Sequence, residues 1–340
     1  MAKIAVLGAG GWGTALAIMA NQYGHAVSLW SPFAEEVEAI RRFDEHKKLL
    51  PGVPVPPEIR LTTDLACVRD ARLVIMAVPS FAIAGTAGEL RPLLSPGTLV
   101  ANAGKGLEPG THRRFTQVIA EALPDARVTA LSGPSHAEEV ARGVPTSVID
   151  ASEDVAAAEE VQELLMNPRF RIYVSGDAVG VELGGALKNV IALAAGICDG
   201  LEVGDNTKAA LMTRGLAEVA RLGIAMGARS ETFAGLSGMG DLIVTCGSLH
   251  SRNRRAGILI GQGHPPEEAV RLVGTVEGYH AAQAGWELAR SLGVEMPITE
   301  QCHAVCYEGQ PPREAIRRLM ERPRRHETET AWESRSGIGL

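Results

Sequence analysis

The run ELGGALKNVIALAAGI, Glu182 to Ile197, sets one lysine, Lys188, inside a largely apolar helical stretch. Lysine is among the residues least often fully buried, so its place needs a reason. On a helix, Leu187, Val190 or Ile191, Ala194 and Ile197 share one face that serves as core. Lys188 points elsewhere. Its neighbours one turn away are Gly184, Gly185 and Ala192, with Ala195 two turns on, so it stands on a stripe of small residues. Two readings follow. Either the ammonium reaches water past a close helix contact, or the small residues leave space for a ligand. Periodicity alone leaves them nearly even.

A second lysine, Lys105, sits between two glycines in AGKG, directly after the strand-like run TLVAN. Such a lysine can reach into a cleft and polarise a carbonyl or neutralise a phosphate; an exposed loop lysine is the commoner case. SGPSH offers the Gly133 amide, the Ser135 hydroxyl and a helix start at Ala137, a combination that favours an anion. AVPS, ending at Ser80, closes another strand with proline. GLSGMGDLIVTC places Asp241 ahead of an apolar segment, as a helix cap or as a partner for a site lysine. HSRNRR follows. Its Ser251, Arg252 and Asn253 suit an anionic phosphate, with a basic surface turn as the competing reading. GTVEGYH carries Val276 and Glu277, to which spacing assigns no role.

These residues need elements to hold them. KIAVLGAGGWGTALAIMANQYGHAVSLW reads as strand, glycine turn, helix, glycine stop and strand. Gly8, Gly10 and Gly13 form G-x-G-x-x-G at the turn. In that context each glycine has a mechanical reason: one makes a tight turn, one lets the backbone approach a pyrophosphate, and one packs helix closely on strand. Amides at the helix start, around Gly11 and Trp12, point at the phosphates. After the second strand stands LWSPF, with Ser31 and Pro32 in place of an acid or a base, so the choice between NAD and NADP stays open. Strands alternate with helices to about residue 175, which predicts a doubly wound, mostly parallel sheet. Helical periodicity then takes over. The expected organisation is an α/β dinucleotide-binding domain over 1–175, an all-helical substrate domain over 176–322 and a mobile tail over 323–340.

Composition bounds the partners. The chain has 340 residues, 46% hydrophobic and 21% charged, with 38 glycines and 4% aromatics. A net charge of −7 argues against a nucleic-acid partner. The five cysteines form no CxxC pair and no zinc-type cluster, so no metal is expected, and unpaired thiols suit a reducing cytoplasm. No apolar run is read as approaching the roughly 18 residues of a membrane helix.

GAGGWGTALA, AVPS, AGKGLE, SGPSHAEEVARGVPT, GVELGGALKNVIALAAGICDGL, TRGLAE, GLSGMGDLIVTCGSLHSRNRR and EMPITE come in the order seen in bacterial NAD(P)-dependent glycerol-3-phosphate dehydrogenase. The resemblance runs from about residue 3 to about residue 320. It implies a Rossmann-type domain, NAD(P)H, and interconversion of dihydroxyacetone phosphate and sn-glycerol 3-phosphate for membrane lipids. It implies Lys188 as the acid/base, Lys105 as a residue touching substrate and cofactor, and Gly133, Ser135, Asp241, Ser251, Arg252 and Asn253 as substrate contacts. Gly11, Trp12, Ala137, Arg252, Val276 and Glu277 would contact the cofactor. It also suggests a cytoplasmic homodimer. Many members carry His or Arg where this chain has Pro32. Two other readings stand beside it: a two-domain β-hydroxyacid dehydrogenase, and a dinucleotide-sensing protein without turnover.

Overall fold

The computed structural model describes residues 1–324, 326 and 327, so the expected tail over 323–340 lies almost wholly outside the described residues. The chain divides into two compact units, Met1–Glu182 and Leu183–Leu340.

The first unit alternates as its sequence predicts. Its elements are β1 (Lys3–Leu7), α1 (Gly11–Gln22), β2 (Ala26–Trp30), α2 (Ala34–Phe43), β3 (Arg60–Thr62), β4 (Leu73–Met76) and α3 (Ile83–Leu90). There follow β5 (Leu99–Asn102), α4 (Phe115–Ala122), β6 (Arg127–Ser132), α5 (Ala137–Ala141), β7 (Thr146–Ala151), α6 (Val155–Leu165) and β8 (Phe170–Ser175). The sheet order is β3-β2-β1-β4-β5-β6-β7-β8, and only the β6–β7 pair is antiparallel. The strands are short apolar runs because helices cover both faces. Ile4 and Val6 of β1 turn to a core with Leu16 and Ile18 of α1, while Ala5 and Leu7 turn to one with Ile83, Leu90 and Phe115. Each fully buried Leu or Phe contributes about 1.5–3 kcal/mol. The strand order reverses direction between β1 and β4, and ligands of such sheets bind beyond the carboxyl ends at that point.

In the second unit every element among the described residues is helical. α7 (Ala178–Gly200) enters it from the first, followed by α8 (Asp205–Ala225), α9 (Ser230–Phe233), a π-helical turn over Leu236–Gly240, α10 (Asp241–Gly247) and α11 (Arg252–Gly261). α12 (Pro266–Val273), α13 (Glu277–Leu292), α14 (Pro297–Tyr307) and α15 (Pro312–Met320) complete it. α7 corrects one expectation. Its 23 residues are long and apolar enough to cross a membrane, although charges interrupt the run. Its most apolar window is wholly buried within the protein, which is the place of a core helix.

Two close backbone approaches set the second unit's geometry. A Cβ at Gly196 would stand 2.1 Å from the Arg254 carbonyl oxygen, and one at Gly257 would stand 2.1 Å from that of Leu193. α7 and α11 therefore touch backbone to backbone. A Cβ at Gly184 would stand 2.8 Å from the Ser237 carbonyl oxygen, so the π-helical turn also presses on α7. The small stripe beside Lys188 thus admits a neighbouring backbone.

Candidate active site

Each unit carries its own group of candidate residues. In the first, Gly8 takes φ 108°, and a Cβ there would lie 2.6 Å from the Ala77 carbonyl oxygen. A Cβ at Gly13 would lie 1.9 Å from the Gly8 oxygen, so neither position accepts a side chain. Gly10 differs. A Cβ there would meet nothing within 4 Å, and as N-cap of α1 it supplies no capping side chain. Space is open beside Gly10 at the uncapped start of α1, which fits a dinucleotide pyrophosphate.

The loops predicted to join this turn do so. Trp12 Nε1 donates to the Ala103 carbonyl at 3.2 Å, tying α1 to the loop after β5. Lys105, on that loop, donates from Nζ to the Gly133 carbonyl at 2.8 Å and to Ser135 Oγ at 3.2 Å. Ser135 Oγ in turn donates to the Gly133 carbonyl at 2.8 Å. A Cβ at Gly11 would lie 3.9 Å from that of Ala137, the first residue of α5. A Cβ at Gly106 would lie 3.2 Å from Ser80 Oγ, which places the AVPS loop alongside. Gly8, Gly10, Gly11, Trp12, Gly13, Lys105, Gly133, Ser135 and Ala137 therefore gather at one edge of the sheet.

In the second unit the lysine is buried, at 7% exposure. Lys188 Nζ donates to Asp241 Oδ1 and to Thr245 Oγ1, both at 2.6 Å. Thr245 Oγ1 donates to the Asp241 backbone carbonyl at 2.5 Å. The reading in which the ammonium simply reaches water fails: tucked under α10, it is held by a carboxylate and a hydroxyl. Asp241 opens α10, and its carboxylate holds the lysine. Its nearness is felt by Cys246, whose thiol is pushed up to about 12 by burial, with the Lys188 charge as the largest opposing effect.

The residues around the start of α11 divide in role. Asn253 Nδ2 donates to Asn189 Oδ1 at 2.8 Å, and Asn253 Oδ1 accepts from the Gly278 amide at 2.8 Å. This side chain links α7, α11 and α13. Ser251 is the N-cap of α11, with Oγ accepting from the Arg254 amide at 3.2 Å. Arg252 is exposed on the first turn of that helix. Val276 is fully buried in an apolar cluster, while Glu277 opens α13.

Sequence reasoning missed several polar residues that fix this frame. Thr245 had no signal beyond its place one turn after Asp241. Asp199 accepts from Lys208 at 2.8 Å and Arg254 Nε at 2.6 Å, joining α7, α8 and α11. Among the described residues no group of three or more His, Cys, Asp and Glu is placed to hold a metal ion.

A dinucleotide-type sheet edge in one unit and a buried lysine–carboxylate pair in a helical unit define a two-part nicotinamide-dependent dehydrogenase. Residues 3–158 match the family model described as NAD-dependent glycerol-3-phosphate dehydrogenase N-terminus, and residues 177–317 match its C-terminus. The chain belongs to this family of NAD(P)-dependent oxidoreductases. It is 52% identical over 309 residues to the NAD(P)+ glycerol-3-phosphate dehydrogenase of Desulfitobacterium hafniense (strain Y51), covering 91% of this chain and 88% of that one. It is 54% identical over 308 residues to the corresponding enzyme of Moorella thermoacetica, covering 90% and 92%. A crystal structure of glycerol-3-phosphate dehydrogenase from Coxiella burnetii superposes with a TM-score of 0.90 at 38% identity, covering 94% of this chain and 99% of that one. A ketopantoate reductase from Ralstonia eutropha JMP134, at TM-score 0.60 and 18% identity, shares the fold alone.

Proposed function

We propose that the chain reduces dihydroxyacetone phosphate to sn-glycerol 3-phosphate, reversibly, with Lys188 as the proton donor. The buried Lys188–Asp241–Thr245 cluster carries this reading. The reading assigns dinucleotide binding to the domain over 1–175 and the substrate's proton chemistry to that over 176–322. A bound nicotinamide supplies or takes the hydride. The chain's residues manage charge. As the ketone carbon gains hydride, its oxygen gains negative charge, and the Lys188 ammonium gives it a proton. Asp241 Oδ1 and Thr245 Oγ1 orient Nζ for that transfer. In oxidation the neutral amine takes the alcohol proton back. Gly8, Gly10 and Gly13 with the Gly11 and Trp12 amides would hold the pyrophosphate; Ala137, Val276 and Glu277 would add cofactor contacts. Lys105, Gly133, Ser135, Ser251, Arg252 and Asn253 would hold the substrate, with Arg252 taking its phosphate.

The same reading makes the product a source of glycerophospholipid backbone. Five free thiols support a reducing, cytoplasmic setting. The homodimer rests on the resemblance alone. Reduced nicotinamide absorbance should fall when dihydroxyacetone phosphate is added to the purified chain. An unchanged signal with both NADH and NADPH would sink the reading. Arg252→Ala should chiefly raise KM; an unchanged KM would favour the surface-turn reading of that residue.

A further inference from the structure

The turn after β2 is Ser31-Pro32-Phe33, and beside it the fold holds a carboxylate. Ser31 is buried and donates from Oγ to Glu36 Oε2 at 2.6 Å. The same Oγ accepts from the Phe33 amide at 3.2 Å. Glu36 belongs to the first turn of α2, and its Oε1 lies 3.4 Å from His46 Nε2. The Leu49 amide donates to His46 Nδ1 at 3.3 Å, which leaves the Nε2 side of the ring toward the carboxylate. The nearness of His46 is the largest influence on Glu36 and lowers its pKa, against the opposing effect of partial burial. The result is an ionised, oriented acid beside the end of the second strand.

In dinucleotide folds an acid beyond the second strand binds the ribose 2′-hydroxyl, whereas a nearby cation accommodates a 2′-phosphate. We infer that Glu36, positioned by Ser31 and His46, makes this chain select NADH over NADPH. The inference rests on the dehydrogenase reading above and names its cofactor. The turn offers a phosphate little. Pro32 has no N–H to donate, and the Phe33 N–H is already given to Ser31. The Arg41 guanidinium bonds Glu38 and the Leu61 carbonyl. Lys48 also acts on Glu36, and its influence is the smallest of those on the carboxylate, below that of the His46 charge. A 2′-phosphate of about −1.5 to −2 charge would face a carboxylate there. Phe33, by contrast, exposes 67% of its surface on the same turn. Its ring suits stacking on adenine, which both dinucleotides share.

Dissociation constants of the purified full chain for NADH and for NADPH, titrated separately by calorimetry without substrate, test this. NADH should bind at least ~10-fold more tightly. Glu36→Ala should bring the two constants within about threefold, mostly by weakening NADH, and Ser31→Ala should move the ratio the same way by less. Phe33→Ala should weaken both and leave the ratio unchanged. Should Glu36→Ala melt early, Glu36→Gln keeps the shape and removes the charge. Equal constants in the native chain, tighter NADPH, or an unchanged ratio in a folded Glu36 variant would overturn the inference. Binding of neither dinucleotide would overturn the dehydrogenase reading with it.

Discussion

α7 carries two buried ion pairs of nearly the same composition, one in each unit. At its start, Glu182 meets Arg114 and Thr116; two turns on, Lys188 meets Asp241 and Thr245. Each is a cation, a carboxylate and a threonine hydroxyl. The first is a rivet. Glu182 Oε1 accepts the Thr116 amide at 2.9 Å, and Oε2 accepts Arg114 at 2.7 Å and Thr116 Oγ1 at 2.5 Å. Its oxygens are spent on the first turn of α4 and its N-cap residue. An arginine there never yields its proton. The second pair puts an exchangeable proton on a compact ammonium. On the proposed reading, what separates the two pairs is which basic group is buried, not how well it is paired.

The largest effect should come from breaking the second pair. Lys188→Met should lower kcat by about 100- to 10,000-fold, while the dissociation constant for NADH stays near native in calorimetry. It should also lower stability by about 3–5 kcal/mol in urea unfolding, because Asp241 is left buried without its cation. Lys188→Met with Asp241→Asn should recover most of that stability and none of the turnover. Recovery of turnover would dissolve the distinction between the two pairs.

Arg114→Met should give the converse. Stability should fall by about 3–5 kcal/mol, while kcat below the melting transition stays native. Burial already raises the Glu182 pKa, and the Arg114 charge is the largest influence opposing it. Without that cation the folded-state pKa rises further, so folding binds a proton. The stability deficit should therefore shrink as pH falls. Urea midpoints across pH would check this, and a deficit independent of pH would place the loss in packing instead.

The contrast between the pairs also explains what the sequence could tell. The dinucleotide turn was readable because its constraints are local: Gly13 faces the oxygen of Gly8 within the same loop. Alternation of strand and helix is likewise short-range. Lys188 was conspicuous because its own helix supplied the anomaly. Its partners were harder. Asp241 stood out only in a glycine-rich stretch, and Thr245 not at all, since the contacts span 53 and 57 residues. Glu182 had no role assigned from its neighbours, and the fold brings Arg114 to it from 68 residues away. The membrane-length character of α7 escaped notice because Glu182, Lys188 and Asp199 punctuate it, yet its average stays apolar.

A third buried acid sharpens the comparison by doing the rivet's work with no cation bonded to its oxygens. Glu218 of α8 takes the first turn of α14: Oε2 accepts the Ile298 amide at 2.9 Å, and Oε1 accepts the Thr299 amide at 2.8 Å and Thr299 Oγ1 at 2.7 Å. Burial dominates here and raises its pKa from 4.5 to about 7; the charge of Arg221 is the weakest influence opposing it. The sign follows from proton counting. Between pH 4.5 and about 7 the folded chain holds a proton that the unfolded chain has released. Stability from this group is therefore fully present below 4.5, falls as pH rises to about 7, and stays lost above it. The slope in that window is at most about 1.4 kcal/mol per pH unit. Urea unfolding of the native chain and of Glu218→Gln at several pH values isolates it, because glutamine cannot titrate. The difference between the two should change across this window and level off above it. A difference that stays flat would mean that the helix-terminal amides alone keep the acid ionised, and that a buried carboxylate at a helix start needs no arginine.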